Sequence, residues 1–332
     1  MKDFEGKIAV ITGGGTGMGR ELARQLVSEG CHTAICDIQK DPMRETEKRC
    51  RQEAKPGTRL TTHECDVSQE DQVAAFCAAV KDQHQTDHIN LLFNNAGIGG
   101  GGSFLLDDRR DWDRVFSINW FGVYFSTRAF LPLLLASREG HLINISSVNG
   151  FWACLGPSVP HTAYCTSKFA VKGFTEALQI DLRLFAPHVK ASLVMPGHIG
   201  TSISVNANKI LGKPSIEEMN SDELALLRER LKRMLIPTDE IEDEALRELV
   251  RQNRDDFLAK APLTAAQGAQ IILDGVRNEK WRILVGEDAE FLDQMVRQYS
   301  ETAYEGSFVE KLVEEREKRG NSVLELFLPK GE

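Results

Sequence analysis

The chain of 332 residues lacks several features that mark special classes of protein. It contains no apolar run of about 18 residues, so no transmembrane helix is expected. No basic stretch is interleaved with aromatic residues, and a net charge of −9 disfavours nucleic-acid binding. The first residues show neither the basic nor the apolar segment of a secretory signal. These absences predict a cytoplasmic protein with neither a membrane nor a nucleic-acid partner.

Cysteine and histidine show no spacing typical of metal sites. The seven cysteines are an odd number without a C-x-x-C pair, which predicts reduced and mostly buried thiols. His84 and His88 lie four residues apart in a polar stretch without matching Cys or carboxylate ligands. We interpret them as a solvated helix end, and we expect no bound metal.

The amino-terminal residues show the order strand, glycine turn, helix. Residues 7–12 form a short apolar run, as in a buried parallel strand, and residues 13–19 are rich in glycine. Helical spacing of apolar residues follows over residues 20–30. Glycines let the backbone approach a pyrophosphate, and the helix N-terminus offers free N–H groups and a positive dipole end. This order predicts a dinucleotide-binding loop.

The second predicted strand, residues 32–36, ends at Asp37, which lies 20 positions after Gly17. A carboxylate at this spacing can accept hydrogen bonds from the adenosine ribose hydroxyls, and it would repel a 2′-phosphate. Ile38 and Gln39 follow, so no basic residue is present to bind such a phosphate. Asp37 therefore predicts NAD(H) as cofactor in preference to NADP(H).

Strand-like and helix-like segments continue to alternate. Four successive units of one strand and one helix predict an α/β protein with a doubly wound parallel sheet. Such sheets bind ligands at the carboxyl ends of their strands. The glycine turn, Asp37, Asp66 and Asn95 fall at those ends. The further predicted elements are a helix, a strand, a helix and a strand at residues 41–53, 59–65, 69–81 and 89–93.

Tyr164 and Lys168 lie four residues apart, which places them on one face of a helix. A free phenol has a pKa near ~10, and an ammonium group one turn away favours the phenolate and lowers that pKa. The pair can therefore act in proton transfer. An exposed helix pair without a chemical role is the alternative, and the spacing by itself does not decide between them.

Five motifs follow one another along the sequence. They are Thr12-Gly13-x-x-x-Gly17-x-Gly19, Asp66-Val67, Asn94-Asn95-Ala96-Gly97, Ser147 with Tyr164-x-x-x-Lys168, and Pro196-Gly197-x-Ile199-x-Thr201. In this order they resemble the motifs of the short-chain dehydrogenase/reductase family. The resemblance covers roughly residues 5–201 and, more weakly, 262–289, and the glycine spacing is similar to that of the compact branch.

The resemblance implies a single Rossmann-type domain over residues 1–332 and a catalytic group of four side chains. Tyr164 would be the general acid/base and Lys168 its electrostatic partner, which also binds the nicotinamide ribose. Ser147 would donate to the substrate oxygen, and Asn119, in a helix that contains residues 115–122, would hold a water that links Lys168 to solvent. The implied cofactor-binding residues are Gly13, Thr16, Gly17, Met18, Gly19, Asp37, Asp66, Val67, Asn95, Ala96, Gly97, Tyr164, Lys168, Pro196, Gly197, Ile199 and Thr201.

The loop before Tyr164 departs from the family pattern. Ser147 and Tyr164 are 17 positions apart, which is about four more than the resemblance implies, and the extra length lies within residues 150–161. The register of Ser147 is therefore less firmly set, with Ser146 as the alternative. We expect this loop to border the substrate with an apolar wall. The residues expected to line the substrate are Phe151, Trp152, Leu155 and His161.

Two regions exceed the usual length of the family. Residues 202–262 contain amphipathic helices near 222–235 and 240–258, which we interpret as a helical substrate cap, with a subunit contact as the alternative. After a last strand at 282–286, residues 290–332 are a helical extension expected to pack on the cap or on a partner subunit. No structure is assigned to the apolar residues 323–328.

Together these features predict an NAD(H)-dependent oxidoreductase that interconverts a hydrophobic secondary alcohol and its ketone. The apolar loop and the leucine-striped cap favour a bulky aromatic, alicyclic or steroid-like substrate. A homodimer or homotetramer is expected. The alternatives are a dinucleotide-sensing regulator that has lost turnover and an oligomer scaffold of the same fold.

Overall fold

The computed structural model describes residues 1–154, 159–233, 236, 238 and 241–318. Strands within these residues are β1 (Ile8–Thr12), β2 (His32–Asp37), β3 (Leu60–Glu64), β4 (Leu91–Asn94), β5 (Gly140–Ile145), β6 (Val189–Pro196), β7 (Ile199–Gly200), β8 (Leu263–Thr264) and β9 (Arg282–Val285). The first helices are α1 (Gly17–Ser28), α2 (Lys40–Glu53), α3 (Glu70–His84), α4 (Arg109–Phe116), α5 (Gly122–Leu135) and α6 (Thr162–Phe185). They are followed by α7 (Ile203–Ile210), α8 (Ser221–Arg233), α9 (Asp243–Ala259), α10 (Ala265–Arg277), α11 (Glu287–Gln298) and α12 (Gly306–Lys318).

Seven strands form one parallel sheet in the order β3-β2-β1-β4-β5-β6-β9. All residues of β1 and β5 are buried, as expected for strands covered on both faces. The chain builds β2 and β3 on one side of β1 and then returns to place β4 on the other. This reversal of strand order opens a crevice at the carboxyl ends of β1 and β4, where such sheets bind ligands.

Helices cover both faces of the sheet. On one face, α1 and α10 pack against β1, β6 and β9 through side chains such as Leu22, Leu26 and Ile272. On the other face, α3, α5 and α6 bury side chains such as Phe76 and Phe130. The predicted doubly wound α/β fold is therefore confirmed, with element boundaries within a few residues of those expected from the sequence.

The helix predicted to contain residues 115–122 is interrupted within these residues. Helix α4 ends at Phe116, a single π-helical turn spans Ser117–Phe121, and α5 begins at Gly122. A π-helical turn contains one residue more than an α-helical turn, and such turns are frequent at functional sites. Asn119 lies in this turn.

The described residues of the segment 202–262 form three helices, α7, α8 and α9, with a small core of their own. Ile216, Leu224 and Leu246 are the buried residues of this core. Arg247 donates to the carbonyl oxygens of Ile216 and Met219 and so joins α9 to the segment before α8. The region is attached to the rest of the chain by the paired strands β7 and β8 and by an ion pair of 3.0 Å between Arg230 and Asp107.

The predicted carboxyl-terminal extension consists of two described helices, α11 and α12, separated by a turn. Phe308 and Leu312 of α12 pack with residues of α11 and with Val148 and Trp152, which follow β5. The extension therefore packs on the segment after β5 of its own chain, whereas we expected it on the cap or on a partner subunit. Residues 319–332, including the apolar residues 323–328, lie outside the described part of the chain.

The interpretation of His84 as part of a solvated helix end is wrong. His84 is buried, and its Nε2 atom lies 3.0 Å from the Thr61 hydroxyl on β3. Burial lowers the pKa of this imidazole to about 4. Among the described helices, none combines the length and apolar character needed to cross a bilayer.

Candidate active site

A cleft of about 130 Å³ lies at the carboxyl ends of β1, β2 and β4. Its walls come from the glycine turn, from the ends of β2 and β3, and from the segment after β4. The predicted cofactor-binding residues that line it are Gly13, Thr16, Gly17, Met18, Asp37, Asp66, Val67, Asn95, Ala96, Gly97 and Thr201. The topology thus collects these residues from five separate parts of the sequence.

The glycine turn is packed too tightly for side chains. Gly13 has φ +67°, and a Cβ atom there would lie 2.7 Å from the Cα atom of Ala96. A Cβ atom on Gly19 would overlap the carbonyl oxygen of Gly13. The bare backbone and the N-terminus of α1 leave a cradle that fits the pyrophosphate of a dinucleotide.

Asn95 holds the glycine turn to the end of β4. Its Nδ2 atom donates to the carbonyl oxygens of Thr12 at 3.0 Å and Gly13 at 3.1 Å. The Thr12 hydroxyl accepts in return from the backbone N–H groups of Asn95 at 3.0 Å and Ala96 at 3.1 Å. Asn95 therefore shapes the cleft by fixing its two neighbouring walls.

Asp37 lies at the edge of the cleft with both carboxylate oxygens bound to backbone. Oδ2 accepts from Gly15 N–H and Oδ1 from Gln39 N–H, each at 2.9 Å. Burial raises the pKa of Asp37, while these hydrogen bonds oppose the shift. The nearby Arg20 guanidinium donates to the carbonyl oxygens of Gly15 at 2.6 Å and Pro42 at 3.2 Å.

Two residues of the cleft were not foreseen. Arg114 of α4 donates to Asp66 at 2.6 Å, and Asn206 of α7 donates to the Thr16 hydroxyl at 3.0 Å. Burial raises the pKa of Asp66, but hydrogen bonds from Arg114 and Ser68 outweigh it and hold that pKa below its usual range. Both residues reach the cleft from helices that are remote in sequence, so no local pattern marks them.

A second cavity of about 410 Å³ continues from this cleft, with which it shares Met18, Asn95, Gly97, Thr201 and Ile203. Three of the predicted catalytic residues line it. Tyr164 and Lys168 project from the first turns of α6, and Ser147 follows the end of β5. The structure thus places Ser147, Tyr164 and Lys168 together beside the predicted cofactor site.

The electrostatics of Tyr164 and Lys168 differ from our expectation. Burial raises the pKa of Tyr164 to about 12, with a hydrogen bond to Ser147 opposing the shift. Burial also lowers the pKa of Lys168 to about 8. The Lys168 ammonium donates to the carbonyl oxygen of Ile145 at 3.0 Å. The expected lowering of the phenol pKa by Lys168 is therefore absent, because desolvation dominates, and Tyr164 is a neutral phenol at pH 7.

The neighbouring serines have different surroundings. The Ser146 hydroxyl is buried and donates to the backbone carbonyl of Lys168 at 2.8 Å. The Ser147 hydroxyl accepts from Asn149 N–H at 3.1 Å and interacts with the Tyr164 hydroxyl. The geometry favours Ser147 over Ser146 as the partner of Tyr164.

The Asn119 side chain is fully buried and makes three hydrogen bonds. Oδ1 accepts from Ile98 N–H at 2.8 Å, and Nδ2 donates to the Ile98 carbonyl at 2.9 Å and to Ser167 Oγ at 3.2 Å. A Cβ atom on Gly97 would lie 3.2 Å from Asn119 Oδ1 and 3.4 Å from Lys168 Nζ. Asn119 and Lys168 thus both lie beside Gly97, and the role of Asn119 in holding a water remains a prediction.

The expected apolar border of the substrate is placed differently. Trp152 is buried, donates from Nε1 to the carbonyl of Ala303 at 2.9 Å, and packs edge-on against Phe308. Phe151 packs against the same carboxyl-terminal cluster. Neither residue lines the cavity at Tyr164, because both side chains pack against the extension after β9. Leu155 lies outside the described residues.

His161 does line this cavity. Its ring centroid lies 4.7 Å from that of Tyr164, and burial lowers the pKa of its imidazole to about 4. The predicted segment from Pro196 to Thr201 forms the facing wall, together with residues of α7 and Phe257 of α9. A neutral imidazole and mostly apolar walls therefore surround the Tyr164 hydroxyl.

The sequence of this chain is similar to those of known oxidoreductases. The sequence profile of the short chain dehydrogenase family matches residues 7–211. SadH of Mycobacterium tuberculosis, a protein assigned to the oxidoreductases, is 38% identical over 207 residues, covering 62% of this chain and 72% of that protein. Estradiol 17-beta-dehydrogenase 11 of Mus musculus is 31% identical, covering 65% and 70%. Epidermal retinol dehydrogenase 2 of Homo sapiens is 34% identical, covering 61% and 63%.

Some solved structures are similar to this chain over more residues than the family profile matches. A short-chain dehydrogenase/reductase from Burkholderia phymatum in complex with NAD aligns with a TM-score of 0.71 at 26% identity, over 91% of this chain and 96% of that one. A metagenomic short-chain oxidoreductase in complex with NADP aligns with a TM-score of 0.52 at 33% identity, over 58% and 83%. Because the family profile matches more than half of this chain, the chain belongs to the short-chain dehydrogenase/reductase family.

Proposed function

We propose that the protein is an NAD(H)-dependent oxidoreductase that interconverts a hydrophobic secondary alcohol and its ketone. The observation that carries this proposal is the continuity of two cavities, of which one is lined by the glycine turn and the other by Ser147, Tyr164 and Lys168. A dinucleotide in the first would present its reactive ring to a substrate in the second. When bound, NAD(H) supplies the hydride donor or acceptor.

The protein's own residues would manage the proton. In the direction of reduction, the neutral Tyr164 phenol donates its O–H proton to the carbonyl oxygen as that oxygen gains charge. Ser147 donates a hydrogen bond to the same oxygen and stabilises the charge that develops on it. The Lys168 ammonium then stabilises the phenolate that remains. The raised pKa of Tyr164 suits this direction because it keeps the proton on the phenol at neutral pH.

The preference for NAD(H) rests on Asp37. Its carboxylate lies at the cleft edge where the adenosine ribose would bind, and a 2′-phosphate would meet its negative charge. The Arg20 guanidinium, which could offset this charge, is bound to backbone carbonyls beneath the turn. Structural relatives include complexes with NAD and with NADP, so the proposed preference rests on Asp37 and not on the fold.

The cavity supports an apolar substrate. His161, Ile199, Ile203, Ala207 and Phe257 are among its lining residues, and burial of apolar surface is the interaction they offer. Relatives named for estradiol and retinol are consistent with such a substrate. In this proposal residues 202–262 cap the cavity, and the protein acts in the cytoplasm as a homodimer or homotetramer.

The test combines turnover with cofactor binding. The purified protein is assayed by NADH absorbance with a panel of apolar ketones and alcohols, and NADH binding is followed by fluorescence. Tyr164→Phe should lower kcat by about 10²–10⁴-fold, the usual contribution of a positioned acid or base, with NADH binding retained. Tyr124→Phe, at a half-exposed position on α5, is the control. Near-normal turnover by Tyr164→Phe would refute the assignment, whereas NADH binding without turnover by the wild type would favour a dinucleotide sensor.

A further inference from the structure

His198 connects the Pro196–Gly197 turn to two elements outside the family profile. The profile ends at residue 211, but two partners of His198 lie beyond it, Asp288 at the start of α11 and Phe257 at the end of α9. The histidine is 4% exposed and lines the cavity at Tyr164. Its two connections involve different atoms and can be considered separately.

The backbone of His198 is fixed by a buried carboxylate. Its N–H group donates to Oδ2 of Asp288 at 2.6 Å, and Asp288 is 1% exposed. Two glycines make room for this group, since a Cβ atom on either Gly197 or Gly286 would overlap the carboxylate. Gly286 has φ +112°, a conformation that favours glycine in any case. The position of the His198 backbone is therefore fixed by two segments, the Pro196–Gly197 turn and the start of α11.

The side chain of His198 completes the end of α9. The last carbonyl groups of a helix have no partner within it, and the Phe257 carbonyl is one of these in α9. It lies 2.7 Å from Nε2 of His198, and the neutral imidazole can donate an N–H group to it. The two aromatic rings also pack together, with centroids 4.3 Å apart. One side chain thus provides both a cap and a packing surface for this helix terminus.

This arrangement brings Phe257 into the wall of the substrate cavity. The last turn of α9 also packs on β7, where a Cβ atom on Gly200 would lie 3.0 Å from the carbonyl oxygen of Leu258. We propose that His198 is a positioning residue that docks α9 on the cavity, so that the Phe257 ring becomes a specificity-determining wall. The effect on substrate choice rests on the proposed function, whereas the docking of α9 does not.

Hydrogen exchange tests the docking without any substrate. In His198→Ala, amides in the last turns of α9 should exchange about tenfold faster, the factor expected for loss of one hydrogen bond. His198→Gln keeps an N–H donor and should remain near the wild-type rate. His198→Asn is polar but shorter and should resemble alanine, which keeps the comparison available if the alanine variant does not fold. Exchange in β1 and β5 reports whether the fold is intact.

His188→Ala is the matched control, because His188 makes the same kind of bond, 3.0 Å to the carbonyl of Leu135, far from the cavity. It should leave exchange in α9 unchanged. If amides in the last turns of α9 exchange at the same rate in His198→Asn, His198→Gln and the wild type, the proposal is overturned.

Kinetics test the consequence for specificity. His198→Asn should raise KM for the ketone several-fold more than it lowers kcat, and Phe257→Leu should raise kcat/KM for bulkier ketones relative to smaller ones. Equal effects on all substrates would refute the role of Phe257 as a wall. If the wild-type protein reduces no ketone, the proposed function fails, and the exchange experiment still decides whether His198 docks α9.

Discussion

Lys168 holds its ammonium nitrogen 5.4 Å from the centre of the Tyr164 ring while it donates to the carbonyl oxygen of Ile145 at 3.0 Å. The contact with the ring face is favourable for a cation, but Lys168 is buried and Tyr164 is partly buried, so both groups lose hydration. As a result the pKa of the tyrosine rises and that of the lysine falls. We therefore expect the charged form of Lys168 at pH 7 to destabilise the folded chain.

The first prediction concerns the pH dependence of this destabilisation. The pKa of Lys168 is lowered from 10.5 to about 8, which corresponds to a cost of about 3 kcal/mol below pH 8. Between pH 8 and 10.5 the unfolded chain binds more protons, so wild-type stability should rise with pH relative to Lys168→Met. The stability gained by Lys168→Met should therefore be larger at pH 7 than at pH 10, as measured by urea unfolding.

Lys172→Met is the control for this experiment. Lys172 lies one turn further along α6 in an ion pair of 2.8 Å with Glu176 at the surface. Such pairs contribute about 0–1 kcal/mol. A difference between wild type and Lys168→Met that stays constant from pH 7 to 10 would contradict the shifted pKa.

The second prediction separates the neighbouring serines. Ser147→Ala should lower kcat by about 10²–10³-fold, as loss of one donor to a developing oxyanion does. Ser146→Ala should mainly reduce stability, by about 1 kcal/mol, because it removes a buried hydrogen bond to the backbone of α6. Rates and urea unfolding of both variants distinguish the roles, and a larger rate loss for Ser146→Ala would reverse the assignment.

A third prediction addresses the cofactor. Asp37→Asn retains an oxygen acceptor but removes the charge, so the ratio of kcat/KM with NADH to that with NADPH should fall about tenfold or more. Glu64→Gln is the matched control, since Glu64 is the residue beside Asp37 in the register of β2 and β3 and is exposed. An equal change in both variants would indicate a general effect of net charge rather than contact with the ribose.

The fourth prediction follows from the position of Trp152. Trp152→Ala should lower the free energy of unfolding by about 3–5 kcal/mol, typical of a large buried aromatic residue, because it vacates the interface with Phe308. KM for the substrate should change little, since the side chain does not line the cavity at Tyr164. Trp281→Ala, at a half-exposed position, is the control for stability. If Trp152→Ala instead raised KM without lowering stability, Trp152 would be a residue that lines the substrate site, as predicted from the sequence.

The sequence was most informative where the backbone itself makes the site. Glycine spacing, apolar strands and Asp37 carry local physical constraints, and each element formed near its predicted position. Side chains that depend on distant segments were predicted less well. His84 is buried with Thr61 of β3 as its partner, and Trp152 does not line the cavity at Tyr164 because it packs against Phe308 of α12. Neither partner is adjacent in sequence, so hydrophobicity and spacing alone did not indicate the contact.

The wrong prediction that the pKa of Tyr164 is lowered has a similar origin. Helical spacing correctly placed Lys168 one turn from Tyr164, but the degree of burial follows from packing of the whole domain. Desolvation then reversed the expected direction of the tyrosine pKa. The π-helical turn at Asn119 was also unforeseen, because it changes the register of an otherwise helical pattern by a single residue.

The carboxylate of Asp288 limits how this protein can be recombined with its relatives. The amide that it supports belongs to residue 198, inside the family profile, while the carboxylate lies 90 residues later and outside it. A chimaera joined near residue 211 would separate the two, and the turn over the active site would lose its acceptor unless the new segment supplied one. The practical crossover point for exchanging carboxyl-terminal segments therefore lies beyond the first turn of α11.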